Sequence, residues 1–268
     1  MPSAGSTGQP LPSADVLREA VAVPGGLWRD IRVVAETGST NSDLLAEARG
    51  GLAEGAVLVA GAQSAGRGRM GRQWVSQPGA ALTFSVLLRP AAVPQGSRGW
   101  LSLLAGVAVV SAVRAETTVD ASLKWPNDVQ VNGAKLAGIL AEQAGGAVVV
   151  GIGINVSSGR DELPVPTATS LALEGADPGA GALLVSVLGE LERWYRAWAG
   201  ARGDAAASGL HEEYQRRCGT LGRQVRVSLP GGRTVTGTAR AVDPAGRLVV
   251  ESAAGPVPVS AGDVIHVR

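Results

Sequence analysis

The sequence predicts an α/β region followed by a small all-β unit, and three observations carry that reading. Strand-like apolar runs alternate with segments of helical length from residue 13 to about residue 217. Asn132-Gly133 and Gly145-Gly146 each separate two apolar runs by two turn-forming residues, the signature of antiparallel hairpins. From residue 219 only short β-rich runs remain (QVRVSL, RTVTGTARAV, RLVVES, PVPVS, VIHVR), punctuated by Pro230-Gly231-Gly232 and Pro244-Ala245-Gly246, which is the spacing of a small five-stranded barrel. The chain is therefore divided into a leader at 1–29, a larger domain at 30–218 and the barrel at 219–268, with the boundary near 218–221.

The elements follow in order. After a Pro/Ser/Gly-rich start, read as unstructured, residues 13–21 predict a short helix with Ser13 as N-cap. A strand at 31–36 runs into Thr37-Gly38-Ser39-Thr40-Asn41, where Thr40 or Asn41 caps a helix that ends before Gly50-Gly51. Strands are expected at 56–62 and 81–88, separated by a Gly/Arg segment, 63–79, that lacks apolar periodicity. A long apolar helix at about 98–115 precedes strands at 121–125, 128–131, 135–143 and 147–154. Two helices, at about 179–199 and 204–217, lead to the barrel.

Composition bounds the function. With 45% hydrophobic and 18% charged residues over 268 positions the chain is of ordinary globular type, and its formal charge of +1 supplies no field for recruiting nucleic acid or an anionic membrane. No uninterrupted apolar run approaches the ~18 residues of a membrane span, and no basic start precedes an apolar stretch as in a signal peptide. The single cysteine, Cys218, excludes an intramolecular disulfide and fits a reducing cytoplasm. Of 24 basic residues only Lys124 and Lys135 are lysines, so positions that keep a compact ammonium are candidates for chemistry that arginine does not replace.

Four segments stand out. Gly66-Arg67-Gly68-Arg69-Met70-Gly71-Arg72 matches G-x-G-x-x-G, yet it does not open a helix: it runs through Trp74 into Pro78-Gly79, with Arg89 and Pro90 where a dinucleotide fold needs an acid. Nor do kinase or P-loop partners accompany it. It reads as a glycine loop presenting three arginines to phosphate or carboxylate beside a tryptophan that can cover a flat ring. In Lys124-Trp125-Pro126-Asn127-Asp128 the proline fixes the backbone so that an amide and a carboxylate project between strands; the amide suits a base edge and the carboxylate suits Mg²⁺ or an amine. Lys135-Leu136-Ala137-Gly138-Ile139-Leu140-Ala141-Glu142 places a lysine at a strand start and a glycine where a ligand can approach. Gly151-Ile152-Gly153-Ile154-Asn155 puts two glycines and an amide at a strand end. Taken singly, these segments also admit structural readings: a solvated basic loop, a tight turn, a β-bulge.

In this order and spacing the four motifs resemble the biotin protein ligase (holocarboxylase synthetase) family over about residues 30–268. The resemblance implies a mixed sheet with helices, similar to the catalytic domain of class II aminoacyl-tRNA synthetases, followed by an SH3-like barrel. It implies an ATP-dependent ligase that converts biotin to biotinyl-5′-AMP and transfers it to a lysine of the biotin carboxyl carrier domain of an acyl-CoA carboxylase. ATP with Mg²⁺ is then the co-substrate and no prosthetic group is held. Ser39, Thr40, Asn41, Gln63, Gly66, Arg67 and Gly138 fall at biotin-contacting positions, with Lys135 drawing biotin carboxylate and phosphate together. Arg69, Arg72, Trp74, Lys124, Asn127 and Asn155 fall on the nucleotide side, Trp74 packing on the adenine, and Asp128 is the candidate for Mg²⁺ or for orienting the incoming lysine. Both substrates bring their own reacting groups, so Cys218, His211 and His266 are bystanders, and Lys135, Arg67, Arg69 and Asp128 carry the catalysis. The loop at 63–79 is expected to order on ligand binding.

Only about thirty residues precede the first core strand, which implies the monofunctional type without the repressor module of some family members, hence no specific nucleic acid and no membrane among its partners. A cytoplasmic monomer or weak homodimer is expected, edge strands being natural pairing surfaces. Three other readings stand beside this one: a lipoate–protein ligase or octanoyltransferase, a non-catalytic biotin or nucleotide sensor, and, from the fewest observations, a nucleic-acid module.

Overall fold

Two glycine-containing turns set the topology of the larger sheet. Asn132 and Gly133 (φ 51° and 85°) fold β5 (Asp128–Val131) onto β6 (Ala134–Ala144), and Gly145 and Gly146 (φ 54° and 82°) fold β6 onto β7 (Ala147–Asn155). Consecutive left-handed residues make the two-residue turn whose twist matches its strands. In this computed structural model, which describes residues 11–21, 24–229 and 231–267, these strands join β1 (Asp30–Thr37), β2 (Ala56–Gln63), β3 (Ala81–Leu88) and β4 (Ser122–Lys124) in the order β1-β2-β3-β7-β6-β5-β4. β1 and β2 pair in parallel across the helix α2 (Thr40–Arg49), and every other neighbour is antiparallel, so the sheet is mixed. The first ten residues of the expected leader and Pro230 of the barrel turn lie outside the described residues.

Strand alternation divides the two faces. Leu82, Phe84, Val86 and Leu88 of β3, with Val148, Val150, Ile152 and Ile154 of β7, enter the main core beneath α3 (Trp100–Glu116) and α4 (Ala180–Gly200). The opposite parity, Leu87 and Val149, packs under Leu44, Leu45 and Ala48 of α2. That second face is left uncovered beyond the N-terminus of α2, and there Thr83, Ser85, Gly151 and Gly153 replace apolar side chains. Segment 95–116 is long and apolar enough to cross a membrane by length and composition, yet Trp100, Leu101, Leu104, Val107 and Val110 are buried in this core, as in a central helix of a globular domain.

Two boundaries differ from expectation, and a third holds. The N-cap of α2 is Ser39, extended at φ −162° and ψ 122°, rather than Thr40 or Asn41; three adjacent cap-competent residues left the choice to tertiary contacts. The helix α1 (Ala14–Val21) begins as expected, with the Val16 N–H 3.4 Å from Ser13 Oγ. The helix expected at 204–217 starts only at α5 (Leu210–Arg217). Asp204 Oδ1 accepts the Ala206 and Ala207 N–H groups at 2.9 and 3.0 Å, closing a local turn, and Gly209 turns left-handed at φ 76°.

The C-terminal strands β8 (Gln224–Ser228), β9 (Thr234–Val242), β10 (Leu248–Ser252), β11 (Gly255–Val259) and β12 (Asp263–His266) form a separate antiparallel sheet in the order β11-β10-β9-β8-β12. Pro256 and Pro258, which cannot donate to a ladder, sit on the edge strand β11. Trp125 Nε1 donates to the Gly246 carbonyl (3.0 Å) and Trp100 Nε1 to the Pro244 carbonyl (2.9 Å), tying this sheet to the first; Val225, Val227 and Leu248 continue the same core.

Candidate functional site

A cleft of about 110 Å³ opens on the uncovered face, lined by α2, the 63–79 loop, β3, β5, β6 and β7. Its floor follows from strand register: Thr83, Gly153, Gly138 and Asp128 stand opposite one another across β3, β7, β6 and β5, with Ser85 and Gly151 as the adjacent pair. The glycines are there because side chains from above lie directly on them. A Cβ at Gly153 would stand 2.5 Å from Trp74 Cζ2, and one at Gly151 2.8 Å from Asn41 Cγ. The Trp74 indole thus rests on Gly153 and, at 3.3 Å from a Cβ at Gly138, on β6 as well, with its Nε1 buried and without a partner.

The 63–79 segment is more ordered than its composition suggests. Arg67 bridges to Gln73, Gly68 N–H donates to the Arg72 carbonyl (2.7 Å), and Trp74 N–H donates to the Gly66 carbonyl (2.9 Å), around a tip at Met70 and Gly71 with φ 56° and 73°. Gly66 does not line the cleft; a Cβ there would press on the Trp74 carbonyl and stand 2.9 Å from Gln63 Nε2, so its glycine serves the turn. The loop's three arginines point to three anchors: Arg67 to Glu142 (2.8 Å), Arg69 to the Asn127 Oδ1 (2.9 Å) and Arg72 to Asp263 of β12 (2.7 Å). Burial holds the Arg69 pKa below its ordinary value, against the opposing pull of Asp128 and Asp263.

At one end of the cleft the groups are neutral apart from the Arg67–Glu142 pair at its edge. Gln63 Oε1 accepts the Thr40 N–H at 2.8 Å, Thr40 Oγ1 lies 2.7 Å from Ser85 Oγ, and Ser85 donates to Asn41 Oδ1 at 2.7 Å. Asn41 Nδ2 donates to the Leu140 carbonyl (3.1 Å) and to Glu142 (2.9 Å). At the other end the groups are ionic. Lys135 Nζ lies 2.7 Å from Asp128 Oδ1, an ion pair whose angle falls short of an aligned hydrogen bond. Strict alternation would aim Lys135 away from Gly138; the register shift of the β5–β6 ladder between Val129 and Gln130 re-aims it, and its Nζ comes 3.2 Å from a Cβ at Gly138. The Lys135 backbone is clamped as well, donating to the Thr167 carbonyl and accepting from Thr169 N–H, each at 2.8 Å. The Trp125–Pro126 peptide before Asn127 is cis.

Not every expected residue reaches the cleft. Ser39, Thr40, Asn41, Gln63, Arg67, Arg69, Arg72, Trp74, Asn127, Asp128, Lys135 and Gly138 line it; Lys124 and Asn155 do not. Lys124 acts on His266 of β12, and Asn155 donates to the Thr169 carbonyl at 2.9 Å, bracing the 167–171 segment. Asp128 makes no metal cage: among the described residues no group of three or more His, Cys, Asp or Glu could hold an ion. Sequence reasoning missed Thr83, Ser85 and Asp263 and gave Glu142 no role. The signal for the first two was two polar residues of one parity inside an apolar strand; Asp263 carried none.

Comparison with known proteins agrees with this architecture. Residues 35–158 match the family model of the biotin/lipoate A/B protein ligase family, and residues 220–267 match that of the biotin protein ligase C-terminal domain. A biotin–[acetyl-CoA-carboxylase] ligase of Mycobacterium tuberculosis is 46% identical over 257 residues, spanning 94% of both chains. One from Paracoccus denitrificans is 32% identical over 243 residues, spanning 87% of this chain and 98% of that one. The structure of a biotin protein ligase from Aquifex aeolicus in complex with biotin and ATP superposes with a TM-score of 0.76 at 28% identity, over 90% of this chain and all of that one. With a relative this similar along nearly its whole length and both halves matched by their models, the chain belongs to the biotin protein ligase family.

Proposed function

We propose that the chain activates biotin with ATP and transfers it to a lysine of the carrier domain of an acyl-CoA carboxylase. One observation carries the reading: the cleft has a neutral hydrogen-bonding end at Ser39, Thr40 and Gln63 and a cationic end at Arg69 and Lys135, with a glycine floor between. That polarity suits a substrate with a neutral ureido ring at one end and a carboxylate at the other. A carboxylate oxygen attacks the α-phosphorus of ATP, the bond to the bridging oxygen breaks and pyrophosphate leaves. The neutral amine of the acceptor lysine then attacks the acyl carbon, AMP departs and the amine loses its proton.

Each side chain has a part in this reading. Gln63 Oε1 is taken by Thr40, which leaves its amide hydrogens for a ligand carbonyl. Lys135 and Arg69 neutralise the two anions that must meet, the electrostatic and positional work on which phosphoryl chemistry depends. Asp128 holds Lys135 and is the carboxylate for Mg²⁺ brought with the triphosphate or for orienting the incoming lysine. Arg69, Arg72, Trp74 and Asn127 form the nucleotide side. About 110 Å³ is below the ~300–1,000 Å³ of typical ligand sites, so Trp74 lifts from its glycines when substrates enter and covers them afterwards.

Intact-mass spectrometry of a biotin carboxyl carrier domain incubated with the chain, biotin and Mg·ATP, beside a lipoate arm, tests the proposal. A single ATP-dependent biotin increment, absent with lipoate, is expected. A lipoate increment, or biotin binding without transfer, overturns it.

A further inference from the structure

Arg67 touches no other cation's anchor: its guanidinium pairs with Glu142 Oε1, while Glu142 Oε2 accepts from Asn41 Nδ2. The Glu142 side chain is only 20% exposed against 50% for Arg67, so the carboxylate is the fixed partner and the loop arginine the docking one. Behind Asn41 the bonds continue to the neutral end of the cleft, and the hydrogens determine their direction. Gln63 Oε1 accepts from the Thr40 N–H (2.8 Å) and faces the Thr40 hydroxyl (3.1 Å), which also meets Ser85 Oγ at 2.7 Å; the Ser85 hydrogen goes on to Asn41 Oδ1. Asn41 is pinned at both ends of its amide, over Gly151, with no room to turn. An unbroken path of polar contacts therefore runs from Gln63 and Thr40 through Ser85, Asn41 and Glu142 to Arg67 of the loop.

We propose that Glu142 is a positioning residue that couples occupancy of the neutral end of the cleft to the seating of the glycine loop, by holding Asn41 and Arg67 on its two carboxylate oxygens. A ligand that engages Thr40 or Gln63 fixes the first turn of α2, and the same turn holds Glu142 toward Arg67. Glutamine at 142 turns one of the two oxygens into an NH₂ donor, which would face the donor of either Asn41 or Arg67. The inference rests on the biotin-ligase reading for the identity of the ligand.

The test uses the full chain as wild type, Glu142→Gln, Arg67→Ala and the double variant, with biotin as the probe. Trypsin cleavage after Arg69 and Arg72, with and without biotin, reads loop seating; the ratio of released to transferred biotinyl-adenylate reads retention. A partly exposed ion pair of ~1 kcal/mol corresponds to about fivefold. Biotin should protect the wild-type loop, and Glu142→Gln should lose about fivefold of that protection and leak about fivefold more adenylate. Arg67→Ala should match it, and the double variant should be no worse than either. Wild-type protection and retention in Glu142→Gln, additive losses in the double variant, or a lowered melting temperature with unchanged ratios would each overturn the proposal. Should Glu142→Gln fail to fold, Glu142→Asp, too short to reach both partners, is expected to give the same two losses. Carrier labelling by the wild type reports on the function alone: its absence with biotin protection intact and lost in Glu142→Gln sinks the ligase reading and spares the coupling, and absence of both sinks both.

Discussion

Substitution of Gly153 by alanine isolates what the glycine floor contributes. A Cβ at this position would stand 2.5 Å from Trp74 Cζ2 and 2.9 Å from Cδ2, whereas carbon atoms pack best at ~3.5–4.0 Å. The indole must retreat by at least about 1 Å, and Gly138 beneath its other edge leaves only the cleft to retreat into. Overpacking of this kind costs about 1–3 kcal/mol when neighbours cannot move. Here the neighbour is a side chain facing a 110 Å³ space, so most of the strain is relieved by filling the volume that substrate needs. Gly153→Ala should therefore melt within a few degrees of the wild type while its KM for biotin in ATP–pyrophosphate exchange rises about tenfold, the equivalent of ~1.4 kcal/mol. In a Trp74→Ala background the same substitution should raise KM by less than about threefold. An unchanged KM in the single variant, or a tenfold penalty that persists without the indole, would show that Gly153 does not act through Trp74.

Other perturbations address the ionic end and the junction of the two sheets. Lys135→Ala should lower adenylate formation by about 10²–10³, the scale of one lost electrostatic donor, with a melting temperature near wild type; Lys135→Arg should not restore it, since the site is built for a compact ammonium. Wild-type exchange rates in either variant would remove that role. Asp263→Asn releases Arg72 from an ion pair whose partners are 55% and 45% exposed, so stability should change by less than ~1 kcal/mol while KM for ATP rises several-fold; an unchanged KM would confine Asp263 to the surface. His266 is held down to about 4 by burial, with Lys124 and Arg223 adding to the effect. Its folded value lies below its ordinary ~6.5, so the unfolded chain takes up the proton first, and stability present above ~6.5 is lost as pH falls toward 4. Melting curves of wild type and His266→Gln should converge or cross over that interval; parallel curves would contradict the assignment.

Much of this architecture was legible because its punctuation is local. β3 and β5 fall at their expected residues, and β6 and β7 within one residue of them, since the Asn132-Gly133 and Gly145-Gly146 turns need only left-handed backbone to act. Most cleft residues were also legible, because they lie within short motifs that fold as units. What was not legible depends on meetings across the chain. Lys124 and Asn155 belong to such motifs, yet the side chain of one acts on β12 and that of the other braces a loop. Asp263 enters the cleft from the second sheet, nearly two hundred positions from Arg72. The re-aiming of Lys135 needed a register shift that neither strand signals by itself.

The distribution of reactive side chains supports the proposal that the chemistry falls to Lys135 and the loop arginines. Cys218 is buried and its thiol is pushed up by that burial, far from a thiolate nucleophile. Burial raises Tyr214, and Tyr195, which donates to Glu54, is raised for the same reason. His211 Nε2 is committed to the Val242 carbonyl at 2.6 Å, and His266 stays neutral beside two cations. Each of these groups is engaged in holding α4, α5 and the second sheet against the first, so none is free to attack a substrate or relay its proton in the cleft. A reaction whose nucleophiles, a carboxylate and then an amine, both come from the substrates asks the protein for something else: donors and cations fixed where negative charge gathers. In the proposed reading the cleft supplies that from Lys135, held at its backbone by residues 167–169, and from Arg69, held by Asn127.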